Sequence, residues 1–283
     1  MTRVEKSHMG GFWLAARLDI SESLRARWFA FYSLIFGGII VVLFLFGISE
    51  SRVTGFTGLT RLLVTYIQLS MAILPVFVLI TTVRSLAGDR EAGVFEYMLS
   101  QPVSLAAWYW GRFIGRFVTV FTPVVLAMAG AVVWGVLRGA EVPVYHFVWY
   151  CLLLVSLSFC FLGLGFLISS MTRSSDVAQS AAFFIWLVLL MFLDLILLGV
   201  IIRGQAPAEL VVGLALGNPL QVFRTASMML FDPQLIMLGP SAWLILDAFG
   251  TNGYLAWGVF YPIVIGFLAG GAGYLIFRRG DLV

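Results

Sequence analysis

The sequence predicts an all-α, polytopic membrane protein with six transmembrane helices, and three observations carry that reading. Of the 283 residues, 61% are hydrophobic and only 11% charged, with a mean hydropathy of +1.02; a soluble domain carries roughly 25% charged residues. Six segments stay apolar over the length of about 20 residues that a helix needs to cross the hydrocarbon core. The arginines gather in the connections on one side of those segments.

Residues 10–27 read as an amphipathic helix ahead of the first span. Phe12, Trp13, Leu14, Leu18 and Leu24 are expected to face lipid, and Arg17, Asp19, Glu22 and Arg25 to stay in water. This N-terminal stretch is too charged for a signal-peptide core, so it is expected to be kept. The first two spans fall at 29–48 and 62–83. A polar connection, 84–116, follows and contains GDREAGVFEYMLSQPVS at 88–104. At about 100° per residue, Asp89, Arg90, Gly93, Glu96, Tyr97, Ser100 and Gln101 share one arc. Ala92, Val94, Phe95, Met98 and Leu99 share the other, and Glu91 alone breaks the pattern by falling among them. The spacing predicts an amphipathic helix at the membrane surface, ended by Pro102. Trp108 and Trp110 then suit the interface before the third span at 117–137.

The fourth and fifth spans, 147–171 and 178–202, are joined by the short loop 172–177 and so form an antiparallel hairpin. Asp194 lies within the fifth, roughly 12 Å below its outer end. At that depth an ionisable residue is either a functional site or a bond to a neighbouring helix or Arg203. Residues 203–255 are long, apolar and broken at Pro207, Asn218-Pro219, Asp232-Pro233 and Gly239-Pro240. The runs ELVVGLALG, LQVFRTASMMLF and SAWLILDAF between these breaks are too short to span, and are expected to be short helices at the outer leaflet, sheltered by the bundle. The sixth span, 256–277, closes a single permease-like domain over 1–283.

An even number of spans puts both ends of the chain on one side. With that side in the cytoplasm, twelve Lys and Arg residues lie inside and five outside, which sets an N-in, C-in orientation. The 84–116 connection is then cytoplasmic and 203–255 external. Gly266, Gly270 and Gly273 on the sixth span, with Gly111 and Gly115 before the third, offer small-residue surfaces for close packing between two copies. Cys151 and Cys160, nine residues apart on one apolar run, point to opposite faces and cannot pair.

Several chemistries are excluded. The sole lysine is Lys6, so no GxxxxGK[ST] phosphate-binding loop exists and the chain carries no ATP site of that kind. HExxH and GxSxG are absent, and His8 and His146 are the only histidines. Nothing in the small charge excess of +3 points to nucleic acid.

DREAGVFEYMLSQPVSLAAWYWGRFIGR, with the basic LDISESLRARWF stretch ahead of the first span, resembles the signature of ABC-2 type transporter permeases. That resemblance implies a non-catalytic membrane subunit with a type V exporter-like fold in the bacterial inner membrane. It would bind no cofactor itself and would pair with a second copy and with two ABC ATPase subunits that hold the ATP and magnesium. The segment after the second span would be a coupling helix docked on the ATPase, with Asp89, Arg90, Glu91, Glu96 and Gln101 as contacts. The sequence has Val94 where many relatives carry threonine after the glycine.

The Asp194-bearing fifth span, GNPLQVFRTASMMLFD at 217–232 and the closing YLIFRRGDLV resemble one group within that family. These are the membrane subunits of the transporter that helps mature the copper sites of nitrous oxide reductase. This implies a periplasmic partner protein, with Asn218, Pro219 and Arg224 as candidate contacts. Met228, Met229 and Met237 could offer thioether sulfur to copper, against the ordinary use of such methionines as packing residues. Two other classes make different demands. A secondary transporter calls for two matching halves with broken helices, and a membrane scaffold would work without an ATPase.

Overall fold

The computed structural model describes residues 3–35, 37–38, 56–95, 103–137, 144–203, 208–231 and 240–279, and every regular element among them is an α-helix. These are α1 (Arg3–Arg25), α2 (Phe56–Glu91), α3 (Leu105–Leu137), α4 (Val144–Met171), α5 (Ser175–Arg203), α6 (Ala208–Gly217), α7 (Pro219–Phe231) and α8 (Pro240–Arg279). After a bend at Ala26 the chain is helical again over 27–35, where the expected first span begins; residue 36 and 39–48 lie outside the described residues. Four described stretches are long and apolar enough to cross a membrane: Leu69–Glu91, Leu105–Gly130, Tyr145–Met171 and Phe249–Arg279. A shorter apolar stretch, Ser175–Met191, belongs to α5.

The 89–101 segment is not the single helix that its wheel predicts. Asp89–Glu91 are the last residues of α2, and Ala92–Gly93 form a turn in which Gly93 has φ +70°. A side-chain-bearing residue is strained at that φ, so a glycine two residues past the helix end stops it. The Ala92 and Gly93 amides donate back to Gly88 O (2.9 Å) and Arg90 O (3.2 Å), using carbonyls the helix would leave open. Phe95 then turns inward and is buried, edge-on to Trp108 at 5.4 Å. Residues 96–102, with Glu96 and Gln101, lie outside the described residues.

α4 is the centre of the bundle, packed against α8 and α2. Its contact with α8 is backbone to backbone: a Cβ on Gly163 would overlap Gly266, and a Cβ on Gly266 would sit 2.6 Å from Phe159 O. A Cβ on Gly273 would meet the Tyr109 hydroxyl at 2.6 Å and the Leu167 backbone at 3.0 Å. The glycine stripe expected to join two copies is therefore occupied inside one chain, where the absent side chains let helices touch. Ser156 reinforces the contact by donating to Val259 O at 2.6 Å. Tyr109 of α3 donates to Gly270 O at 2.9 Å and is ringed by Phe166, Tyr274 and Phe277.

The three short runs expected in 203–255 appear as α6, α7 and the first ten residues of α8, before a break at Gly250. Gly250 has φ 64° and ψ 167°, a region open essentially to glycine alone. α7 enters the bundle between α2, α4 and α8; from Pro219 to Leu230 only Arg224 is not buried. Asn218 starts it. Its Oδ1 accepts from Leu220 N at 3.0 Å, its carbonyl from Val222 N at 2.9 Å, and Pro219 fills the first helical position, where no N–H is needed. Asn218 Nδ2 also donates to Leu189 O at 2.7 Å, which fixes α7 to α5.

Candidate functional site

Among the described residues, a cluster of charged side chains lies at the end of the bundle where α2 and α4 finish and α3 and α5 begin. The sequence that builds this place is GRFIGR, 111–116, which repeats Gly-Arg at a spacing of four, so the two glycines share one helix face and the two arginines the next. Against Gly111 and Gly115 the backbone of α1 comes so close that added Cβ atoms would lie 2.5 Å from Phe12 O and 2.7 Å from Ala16 O. That approach brings Asp19 of α1 between the arginines: Arg116 Nη2 donates to its Oδ1 at 2.8 Å, and Arg112 Nε at 3.4 Å. Arg112 also reaches Glu22 Oε2 at 3.4 Å and Asp89 Oδ2 with Nη1. Its guanidinium lies over Trp108 at 5.1 Å, and that of Arg116 over Trp28 at 5.8 Å.

The expectation that Asp19 stays in water is thus corrected: it is 1% exposed. Burial pushes its carboxyl above the ordinary value, opposed by Arg116 and Arg112. Of the other expected members of that helix, Phe12 is half-buried. Trp13, Leu14, Leu18 and Leu24 are exposed apolar residues, and Arg17, Glu22 and Arg25 are exposed charges.

The end of α2 joins this cluster to the α4–α5 hairpin. Successive helical side chains point about 100° apart, and Asp89, Arg90 and Glu91 reach three different neighbours. Asp89 meets Arg112 of α3. Arg90 Nη1 donates to Thr172 O at 2.7 Å, just past the C-terminal end of α4, where the helix dipole favours a cation. Glu91 Oε2 accepts from the Ser175 amide at 3.1 Å, at the N-terminal end of α5, where the dipole favours an anion. Glu91 breaks the amphipathic pattern because it faces the start of another helix rather than an apolar surface. One turn of α2 therefore holds α3, α4 and α5 in register.

Of the predicted contacts, Asp89, Arg90 and Glu91 come together here. Asp19, Glu22, Arg112, Arg116 and Ser175 belong with them and were missed as site residues. The repeated Gly-Arg was the available signal for the arginines, whereas Ser175 could not be found because its contribution is a backbone amide. At the opposite end Asn218 and Pro219 are buried by the chain itself, and Arg224 is half-buried. Met228 and Met229 are buried at 3% and 5% exposure, next to each other in the apolar core of α7. Asp194 falls on α5; its side chain, like Met237, lies outside the described residues.

A family model described as ABC-2 family transporter protein matches residues 13–282. A relative named "Probable ABC transporter permease protein NosY" from Stutzerimonas stutzeri is 24% identical over 271 residues, covering 89% of this chain and 98% of that protein. A protein of the same name from Pseudomonas aeruginosa is 25% identical over 232 residues, covering 78% and 82%. The match takes in α1 from residue 13 on, the α2–α3 connection and the closing helix together, and the chain belongs to the ABC-2 family of transporter proteins.

Proposed function

We propose that this chain is the membrane-spanning subunit of an ABC transporter, that a separate ATPase drives it, and that the turn following Glu91 is where the ATPase engages. The observation that carries this reading is the three-way hold of Asp89, Arg90 and Glu91. A push on the exposed Ala92–Gly93 turn is delivered at once to α3, α4 and α5, because the residues just before it bond to all three. Motion of this kind is what a chain without a phosphate-binding loop needs in order to use ATP hydrolysed elsewhere.

On this reading the junction faces the cytoplasm and the six spans are oriented N-in, C-in in the bacterial inner membrane. Support comes from the exposed Arg25, Arg27, Arg173, Arg278 and Arg279, which lie at the junction end. Two copies would pair with two ATPase subunits, and the α6–α7 end, with Arg224, would meet a periplasmic partner. Within the family, the resemblance of the 217–232 and closing motifs, with the two relatives named NosY, favours a role in maturing the copper site of nitrous oxide reductase. Asp194 is the residue proposed to act within the membrane.

The test is co-expression with the ATPase subunit. Glu91→Arg combined with Glu96→Arg is expected to cut co-purification and stimulated ATP hydrolysis by about tenfold or more, since like charges opposed at an interface cost several kcal/mol. Membrane abundance should stay unchanged. Normal assembly and full stimulation in that variant would remove the assignment.

A further inference from the structure

Ser169 of α4 is fully buried, and its hydroxyl stands between two backbone groups of α2, donating to Val83 O at 2.7 Å and accepting from the Ala87 amide at 2.9 Å. Those groups are the acceptor and donor of one i→i+4 rung of α2's own ladder. A hydroxyl that bonds both groups of a rung competes with the bond between them.

The surrounding residues carry the same mark. Thr82 and Ser85, one on each side of Val83, bury hydroxyl oxygens that have no hydrogen-bond partner among the described residues. In an apolar helix such hydroxyls ordinarily bond back to the carbonyl one turn earlier, as Thr81 does to Phe77 O at 2.8 Å. Buried groups left unpaired in this way call for an explanation. Gly88 follows the bridged rung directly. A Cβ there would meet nothing within 4 Å, and its φ is not in the left-handed range. Neither packing nor turn geometry requires glycine at 88, which leaves the softness of its backbone as its contribution. Immediately beyond it are Asp89, Arg90 and Glu91.

We infer that Ser169 is a positioning residue for coupling: it competes for one rung of α2 so that the last turn, Ala87–Glu91, pivots on α4. The bridged arrangement is one state of the pivot. In the other, Ser169 lets go, Val83 O and the Ala87 amide pair only with each other, and the bonds of Arg90 and Glu91 to the α4–α5 hairpin are remade. The role in coupling rests on the proposed function; the pivot itself is a property of this chain alone.

Both levels are tested with the full-length chain in lipid nanodiscs, by hydrogen exchange over residues 84–95. Ser169→Ala leaves the two backbone groups free to pair directly, so the chain should fold with little change in thermal stability. Exchange over 87–91 is expected to slow by about fivefold, the worth of roughly one net backbone hydrogen bond. Gly88→Ala, which meets no neighbour, should slow it in the same direction by stiffening the turn. Unchanged or faster exchange in both variants overturns the pivot. In a second arm the ATPase subunit is added. Ser169→Ala should co-purify with it at the wild-type level and yet lose several-fold of its stimulation of ATP hydrolysis. Full stimulation overturns the positioning role. Failure of the wild-type chain to bind any ATP-binding subunit overturns the proposed function instead, and leaves the exchange result standing.

Discussion

Asp19 shows how far a single residue departs from what its sequence neighbours suggest. Its helix reads as a surface helix with charges outward, and Arg17, Glu22 and Arg25 obey that pattern. Asp19 does not, because Arg112 and Arg116, more than ninety positions along the chain, lie on the facing helix. A helical wheel contains no information about such a partner. Burial raises the carboxyl's folded-state value, so the stability this group adds through protonation is full below the ordinary carboxylate range and is lost as pH rises through the raised value. At neutral pH its importance is instead that its loss strands buried guanidiniums. Asp19→Leu should therefore cost about 3–5 kcal/mol, whereas Asp19→Leu with Arg116→Met should recover a good part of that, since a neutral, packed pair avoids an unpaired buried charge. Thermal unfolding of the two variants in detergent distinguishes these outcomes; equal loss in both would show that the pair is not coupled. Glu91 was legible only as an anomaly for a similar reason, since the group it binds is the backbone amide of Ser175.

At the scale of elements, the breaks were easier to read than the faces. Asn218-Pro219 and Gly239-Pro240 mark the starts of α7 and α8 because a capping side chain and a residue without an N–H act within their own turn. Gly93 ends α2 by its φ, and that signal was present but was outweighed by the apolar periodicity on either side. The glycines of α8 were recognised as a packing stripe, and their partner was misjudged. Small residues allow any backbone to approach, and composition does not say whether it belongs to α4 or to a second copy. The distinction has a measurable consequence. Gly266→Ala would set a Cβ 2.6 Å from Phe159 O and 2.7 Å from Phe159 Cδ1. Separating α8 from α4 to accommodate it should cost about 1–3 kcal/mol, read as a lower melting temperature of the isolated chain. Gly271→Ala, five positions along the same helix, meets nothing within 4 Å and should be neutral. Equal behaviour of the two would mean that the α4–α8 contact is not the tight interface described.

For the whole molecule the question is which way the bundle faces. The chain alternates direction through α2, α3, α4 and α5, so the ends of α2 and α4 and the starts of α3 and α5 share one level. α1 lies against the first turns of α3, and Phe277 near the end of α8 stacks on Trp108 at 5.7 Å, which brings the last turn of α8 to that level too. The side on which this level lies is a matter of charge: inward-facing connections tolerate arginine, and translocating one against the membrane potential is unfavourable. Ser21, Arg279 and Thr251 are all exposed, the first two at the junction end and Thr251 just past the Gly250 break at the other. In a chain with Cys151 and Cys160 replaced by alanine, Ser21→Cys and Arg279→Cys should react with a membrane-impermeant maleimide in inside-out vesicles and stay protected in right-side-out ones. Thr251→Cys should do the reverse. Labelling of all three from one side would contradict the alternation of the helices. A complete inversion of the pattern would keep the fold and turn the junction away from cytoplasmic ATP, and an ATPase could not then drive this chain through Asp89, Arg90 and Glu91.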